Sequence, residues 1–597
     1  MNNFWKTFFG SALGSIVGIM ATGLIFLFGF FMLIGSVVSG SGEQTSKSID
    51  KTSVLYLDLK YELNDKTNND PFENISSGKI SSTVKPGLYD LLSVLKHASS
   101  NDKITGIFLD ISDITAGMAI TEELRQGIVQ FKNSGKFVYT YADVLTQKGL
   151  YLASAGDKIY LNPAGDVEFK GLSTTFLSFK GLLDKLGVKA EVFRPDGNKF
   201  KSAVEPFLLE KMSPENRAQT FQFLNTIWNS MLNDFSESRS ISVEELGRIA
   251  DELAMYNTYK AVELHMADSI LYRDQFVDLL KAKSGLQAKD KLKLVSPGEY
   301  YEMYKAAMNT ENKKDLIAVV FAEGEIVYGD GDNKTISDKN LGTQLKKARE
   351  DDKVKAVVLR VNSPGGSALA SEILWREVEL TKAKKPVIVS MGNYAASGGY
   401  YISCGANRIF ADNSTLTGSI GVFGMLYNAQ GFLNQKLGIT TDTVKTNAYS
   451  DFFSFARNME NAEREYLNRS VTDVYKLFLQ RVSEGRNLDL NYVDSIAQGR
   501  VWAGKDAINI GLVDEIGNLE AAINYAAKSV DLSDFGIKTL PEKTDFWQAL
   551  LNDGKKDAVD VMVKKNLGEG YYILEGFRSL EQTKGVQARM PFNMEIK

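Results

Sequence analysis

DKITGIFLDIS, from Asp102 to Ser112, and DKVKAVVLRVN, from Asp352 to Asn362, are one pattern written twice, 250 residues apart. The offset holds without a gap to GDKIYL and ANRIFA, which begin at Gly156 and Ala406. Two more pairs agree: SVLYLDLKYEL from Ser53 with LIAVVFAEGEI from Leu316, and YNTYKAVELHMADSI from Tyr256 with WAGKDAINIGLVDEI from Trp502, at an offset of 246. The chain is a tandem duplication. Whatever fold the first copy adopts the second adopts too, and each copy must enclose its own core. A length of 597 residues allows this, since a domain takes about 100–200.

Within each copy, short runs rich in Val, Ile and Leu, such as AVVLRV and PVIVSM, alternate with amphipathic stretches such as ALASEILWREVELTK. That alternation predicts an α/β class, with β-α units around a largely buried sheet. NRAQTFQFLNTIWNSMLNDFSES and NAEREYLNRSVTDVYKLFLQRVSEG read as matching long helices late in each copy. The first repeat is expected over 43–310 and the second over 311–530, while the segment 531–597 has no partner in the other copy and receives no role. Residues 1–42 stand apart. Thr7 to Gly42 carries no charge, and about 20 apolar residues cross a bilayer, so a transmembrane anchor is expected. A cleaved signal peptide would have an apolar region of only about 7–15 residues. Lys6 ahead of the run favours an inside amino terminus and a body outside.

The net charge of −5 is mild for this length, so no nucleic-acid partner is expected. The single cysteine, Cys404, excludes an internal disulfide and any multi-cysteine metal site, and we assign it no chemistry.

In the second copy a buried run leads into VNSPGGSALAS, Val361 to Ser371, and the next leads into NYAASGGYY around Ser397. Glycines at such turns let backbone N–H groups approach a ligand oxygen closely, which suits an oxyanion hole. Tight strand-to-helix turns would use the same residues. The duplication weighs against that simpler reading, because the first copy has Gln147 at the position of Ser397 and SDITA, Ser112 to Ala116, at that of NSPGG. A purely architectural need would apply to both copies. A serine hydroxyl also needs a base. His97 and His265 are the only histidines, and both sit in peripheral contexts. A lysine whose pKa is lowered by burial is the alternative. NKFKSAVEPF, Asn198 to Phe207, places Lys201 among Phe200, Ala203 and Val204, which sets it barely above Lys199. GRVWAGKD, Gly499 to Asp506, follows a phosphate-binding loop for seven positions, but Asp506 stands where Ser or Thr is required.

VNSPGGS, NYAASGGYYIS, TGSIGVFG, GRVWAGKDAINIGLVDEIG and KSAVEPF together resemble the long, duplicated form of the signal peptide peptidase A family, also called protease IV. The resemblance extends over nearly the whole chain. It implies a ClpP/crotonase-like fold in each copy and a membrane-anchored serine endopeptidase with a Ser/Lys dyad. Carried over, Ser397 is the nucleophile, Lys201 the general base and Ser419 the residue that holds the lysine. Gly398 with Gly365 or Gly366 forms the oxyanion hole. The implied substrates are cleaved signal peptides and other unfolded hydrophobic segments. The implied setting is the inner membrane with the body on the periplasmic side, in a homotetramer that needs no cofactor or metal. Two other readings use the same fold: a non-catalytic membrane scaffold, and acyl-CoA chemistry at the glycine-rich turns.

Overall fold

The computed structural model describes residues 49–67, 85–332, 334–542 and 586–590, and the expected anchor over 1–42 lies outside them. Among the described residues no helix is long and apolar enough to cross a membrane.

The first repeat forms one parallel sheet. Its strands β1 (Ser53–Leu57), β2 (Ile104–Asp110), β3 (Phe137–Leu145) and β4 (Lys158–Val167) pair in sequence order. Strand β5 (Lys189–Phe193) leaves this sheet, and β6 (Ser269–Ile270) and β7 (Leu294–Val295) close its two edges, giving the order β6-β4-β3-β2-β1-β7.

The second repeat uses the same plan. It begins with β8 (Leu316–Glu323), followed by the short β9 (Glu325–Val327) and β10 (Thr335–Ser337). Then come β11 (Val354–Ser363), β12 (Gly365–Ser367), β13 (Val387–Ala396), β14 (Arg408–Ala411), β15 (Leu416–Gly418) and β16 (Phe423–Asn428). After the helix Asn461–Arg486 the chain adds β17 (Val501–Ala503), β18 (Glu515–Ile516) and β19 (Gly536–Leu540). The neighbours run β18-β14-β13-β11-β8-β19, the order of the first sheet, and β15 with β17 extends the second sheet beside the end of β13. β19, beyond residue 530, lies beside β8 as β7 lies beside β1. β11, VKAVVLRVNS, is buried along nearly its whole length, as expected of a central parallel strand covered by helices on both faces.

A third sheet, in the order β10-β9-β12-β20-β16-β5, combines both repeats with β20 (Val586–Arg589) from the carboxyl-terminal segment. β5 of the first repeat pairs antiparallel with β16 of the second, from Gly424 opposite Phe193 to Asn428 opposite Lys189. A buried charge cluster also ties the repeats: Arg360 on β11 bonds Asp65 at 2.8 Å and pairs with Glu123, both from the first copy. All three side chains are at most 1% exposed.

Candidate active site

The carboxyl ends of adjacent parallel strands are where open α/β sheets place their ligands. β11 ends at Ser363 and β13 at Ala396, so the NSPGG turn and Ser397 emerge side by side. Ser397 has φ +55° and ψ −113°, a conformation sparsely populated by residues other than glycine. Its N–H is held by Gly418 O at 2.8 Å. The glycines after it are required by crowding. A Cβ on Gly398 would sit 2.6 Å from Ser371 Oγ, and one on Gly399 2.6 Å from Ser363 O.

Lys201 arrives from the first repeat, after β5, and is fully buried. Its Nζ lies 2.7 Å from Ser397 Oγ, 3.0 Å from Ser419 Oγ and 3.0 Å from Ser419 O. Ser419 follows β15 at φ +49°, with its N–H donated to Arg500 O at 2.7 Å. Burial pushes the Lys201 ammonium well below its ordinary pKa of 10.5. A neutral amine at this position can accept a proton from the hydroxyl beside it.

The loop that carries Lys201 is clamped by groups that sequence reasoning did not find. Phe200 N–H donates to Gln498 O at 3.0 Å, and Asn198 Nδ2 donates to Val422 O at 3.0 Å. Gln219, on the helix Pro214–Arg239, donates to Phe200 O at 3.0 Å and Ser202 Oγ at 3.1 Å, and accepts from Val501 N at 3.1 Å. Gly499 has φ +81°, and a Cβ there would fall 2.6 Å from both Cβ and N of Lys201. Gln219 is one polar residue among many on its helix, so no sequence signal marks it. Gly499 was visible only as the first glycine of the phosphate-loop-like string, and that string is in fact strand β17 leading into a helix, with Asp506 accepting from Thr226 Oγ1 at 2.9 Å.

Gly365 and Gly366 adopt φ +101° and +153°; a Cβ on Gly365 would lie 2.7 Å from the Gly398 nitrogen, so these two glycines converge, while a Cβ on Gly366 would meet the Ile326 backbone. The Gly365 N–H donates to Ser363 Oγ at 3.2 Å. β20 pairs antiparallel with β12, Gly365 opposite Arg589 and Gly366 opposite Ala588, and also with β16 through Phe423 and Gly424. An extended backbone therefore lies directly against the convergent glycines.

The other candidates fall elsewhere. His97 Nδ1 pairs with Tyr300 OH at 2.7 Å, and the backbone oxygen of His265 accepts from Arg239. Lys199 is exposed. Cys404 is buried, with Sγ 3.2 Å from Tyr401 O. At the position matching Ser397, Gln147 accepts from the N–H groups of Lys170 and Gly171 at 2.8 and 2.9 Å, so the first copy closes this space with a side chain.

The sequence matches Peptidase family S49 twice, over residues 130–287 and 379–533, and Clp protease over 308–417. It is 35% identical to Protease 4 of Haemophilus influenzae, covering 91% of this chain and 90% of that one. It is 33% identical to Protease 4 of Salmonella typhi, with 87% and 85% covered. The chloroplastic serine protease SPPA of Arabidopsis thaliana is 30% identical, with 91% and 78% covered. A buried lysine against a serine at the end of a ClpP-like sheet, in a duplicated chain matching these proteases along nearly its full length, belongs to peptidase family S49, as a serine protease of the protease IV type.

Proposed function

We propose that Ser397 is the nucleophile of this protease and Lys201 its general base, with the dyad drawn from different repeats of one chain. The observation that carries the reading is the 2.7 Å approach of a fully buried Lys201 Nζ to Ser397 Oγ. Neutral Lys201 takes the hydroxyl proton as Oγ adds to the substrate carbonyl, and the ammonium then gives that proton to the departing amine. In the second half, Lys201 takes a proton from water, which attacks the ester and releases Ser397 as the proton returns to Oγ. Ser419 orients the lysine through its hydroxyl and carbonyl, both 3.0 Å away. The Gly398 N–H, with that of Gly365 or Gly366, stabilises the oxyanion, where one donor is worth about 10²–10³ in kcat.

The substrate is an unfolded, extended chain. The pairing of β20 between β12 and β16 supports this, since it shows that an extended backbone fits along the glycine turn. Cleaved signal peptides and other apolar segments left in a bilayer fit along the same turn. An anchor over 1–42 would tether a homotetramer of periplasmic bodies to the inner membrane and raise its effective concentration near them.

The test is labelling of purified full-length protein with a fluorophosphonate probe, alongside turnover of a peptide ester. Wild type is expected to label and turn over, while Ser397→Ala and Lys201→Ala do neither and keep their circular dichroism. His97→Ala and His265→Ala retain activity. Labelling that survives in Ser397→Ala removes that serine as the nucleophile.

A further inference from the structure

Two charged residues on different strands meet across the glycine turn. β12 has β9 on one side and β20 on the other, with Gly366 beside Ile326 and opposite Ala588. One residue back along the turn, Gly365 stands opposite Arg589 and beside Glu325. Residues in one row of a sheet carry their side chains on one face, and Gly365 brings none to this row. Arg589 reaches over the bare glycine, and its Nη1 lies 3.1 Å from Glu325 Oε1.

The two side chains are only 15% and 17% exposed. Burial pushes the Glu325 carboxyl up, and the charge of Arg589 draws it back. Arg589 is the one cation paired with Glu325 among the described residues. Glu62, which holds the same place in the first copy, is exposed. The neighbours of Arg589 turn the other way, as alternate residues of a strand must, and both Ala588 and Met590 are buried. A carboxylate kept out of water without a cation is costly. This row therefore favours an occupant whose positive charge stands between two apolar or small residues.

We propose that Glu325 is a specificity-determining residue of this protease, selecting a lysine or arginine at the substrate residue that lies opposite Gly365. The inference rests on the functional reading in taking substrate to run along the glycine turn as β20 does. A substrate on this path displaces Val586–Met590, and its own basic side chain takes the place of Arg589 on Glu325. A cleaved signal peptide presents such a residue where its charged start meets its apolar stretch. The selected class is a peptide that contains this junction, rather than an apolar segment alone.

The test uses full-length protein in detergent and an apolar, internally quenched peptide along which a single arginine is walked, with citrulline as its neutral counterpart. Wild type is expected to cut at one fixed spacing from the arginine, read from product masses, with kcat/KM about tenfold or more above that for the citrulline peptide. In Glu325→Gln that ratio is expected to fall to about one, and in Glu325→Arg a glutamate peptide is expected to overtake the arginine peptide. Each ratio is taken within one variant, so a loss common to both peptides cancels. Arg589→Gln is expected to raise turnover of both peptides, because the internal strand then holds the turn less tightly. Equal turnover of the arginine and citrulline peptides by wild type overturns the subsite, and a preference that survives in Glu325→Gln overturns Glu325 as its source. Arg589→Gln that matches wild type on both peptides overturns the shared path of strand and substrate. Fluorophosphonate labelling is read in parallel: a wild type that labels but shows no arginine preference overturns this inference alone, and labelling that survives in Ser397→Ala overturns the reading of the dyad.

Discussion

Gly499→Ala is the perturbation that separates the geometry of the lysine from its chemistry. Gly499 lies 298 positions from Lys201 in the sequence and has φ +81°. The added methyl would fall 2.6 Å from Lys201 Cβ and N and 2.7 Å from its Cα, against an ordinary contact of 3.4–4 Å. The backbone of Lys201 or the loop of Gly499 must therefore give way by about 1 Å, and a displacement of that size costs about 10²-fold in a reaction that depends on near-attack geometry. That is about 2.7 kcal/mol of barrier. The left-handed conformation adds about 1–2 kcal/mol of destabilisation on its own. Gly511→Ala supplies the control, because Gly511 has φ +77° but its Cβ would meet only Leu488 at 3.4 Å. Peptide-ester turnover and thermal midpoints of both variants give the answer. Both should melt earlier than wild type, Gly499→Ala by more because it adds the clash to the same backbone strain, while only Gly499→Ala loses kcat, with KM little changed. Equal turnover in the two variants would refute the claim that this loop sets the position of Lys201.

Three further outcomes follow from buried charge. Folding lowers the pKa of Lys201 through burial, so between the folded value and the ordinary 10.5 the unfolded chain binds the extra proton and the site's contribution to stability rises with pH. The thermal midpoint of Lys201→Met, taken relative to wild type, should therefore become more favourable as pH falls from the lysine range toward neutrality; a difference that is flat with pH would place a charged lysine in the fold. Glu323 is pushed up to about 8, first by burial and then by the charge of Asp65, whose N–H it accepts at 3.1 Å. Stability should fall as pH rises from the ordinary carboxyl range toward 8, and Glu323→Gln, which keeps the acceptor, should remove that slope in melts across pH. Arg360→Leu strands Asp65 and Glu123 in the interior, and the loss should be about 3–5 kcal/mol by denaturant titration. A change under about 1 kcal/mol would mean that water reaches the cluster.

The periodic hydrophobic runs made the two sheets legible, because central parallel strands such as β11 must be apolar on both faces and helices between them must not be. Short edge strands carry no such signal. β7 and β19 share a place but little pattern, and β20 is a short strand whose pairing partners, Gly365–Ser367 and Phe423–Gly424, are long-range in sequence. At the site, Ser397 and the glycines could be singled out because the twin copy lacks them. Lys201 was harder to pick, since nothing local distinguishes a lysine that will be buried from its exposed neighbour Lys199. Its burial comes from the second repeat, through Gln498, Gly499 and Ser419, and from the helix bearing Gln219. The family resemblance selected Lys201 where local sequence alone could not.

The same comparison explains why both copies are needed. In the alignment that joins Gly187 to Gly438, Phe452 falls opposite Lys201, as Gln147 falls opposite Ser397. In the proposed dyad each repeat supplies one member and carries, at the aligned position of the other, a side chain that cannot substitute for it. A serine without an amine, or an amine without a serine, makes no Ser/Lys dyad, so the proposed chemistry exists only while the two repeats are docked. The Arg360 cluster and the β5–β16 ladder therefore act on activity as well as on stability. Loosening either should lower turnover before the separate sheets melt, because the 2.7 Å contact between Lys201 and Ser397 spans the interface that they hold together.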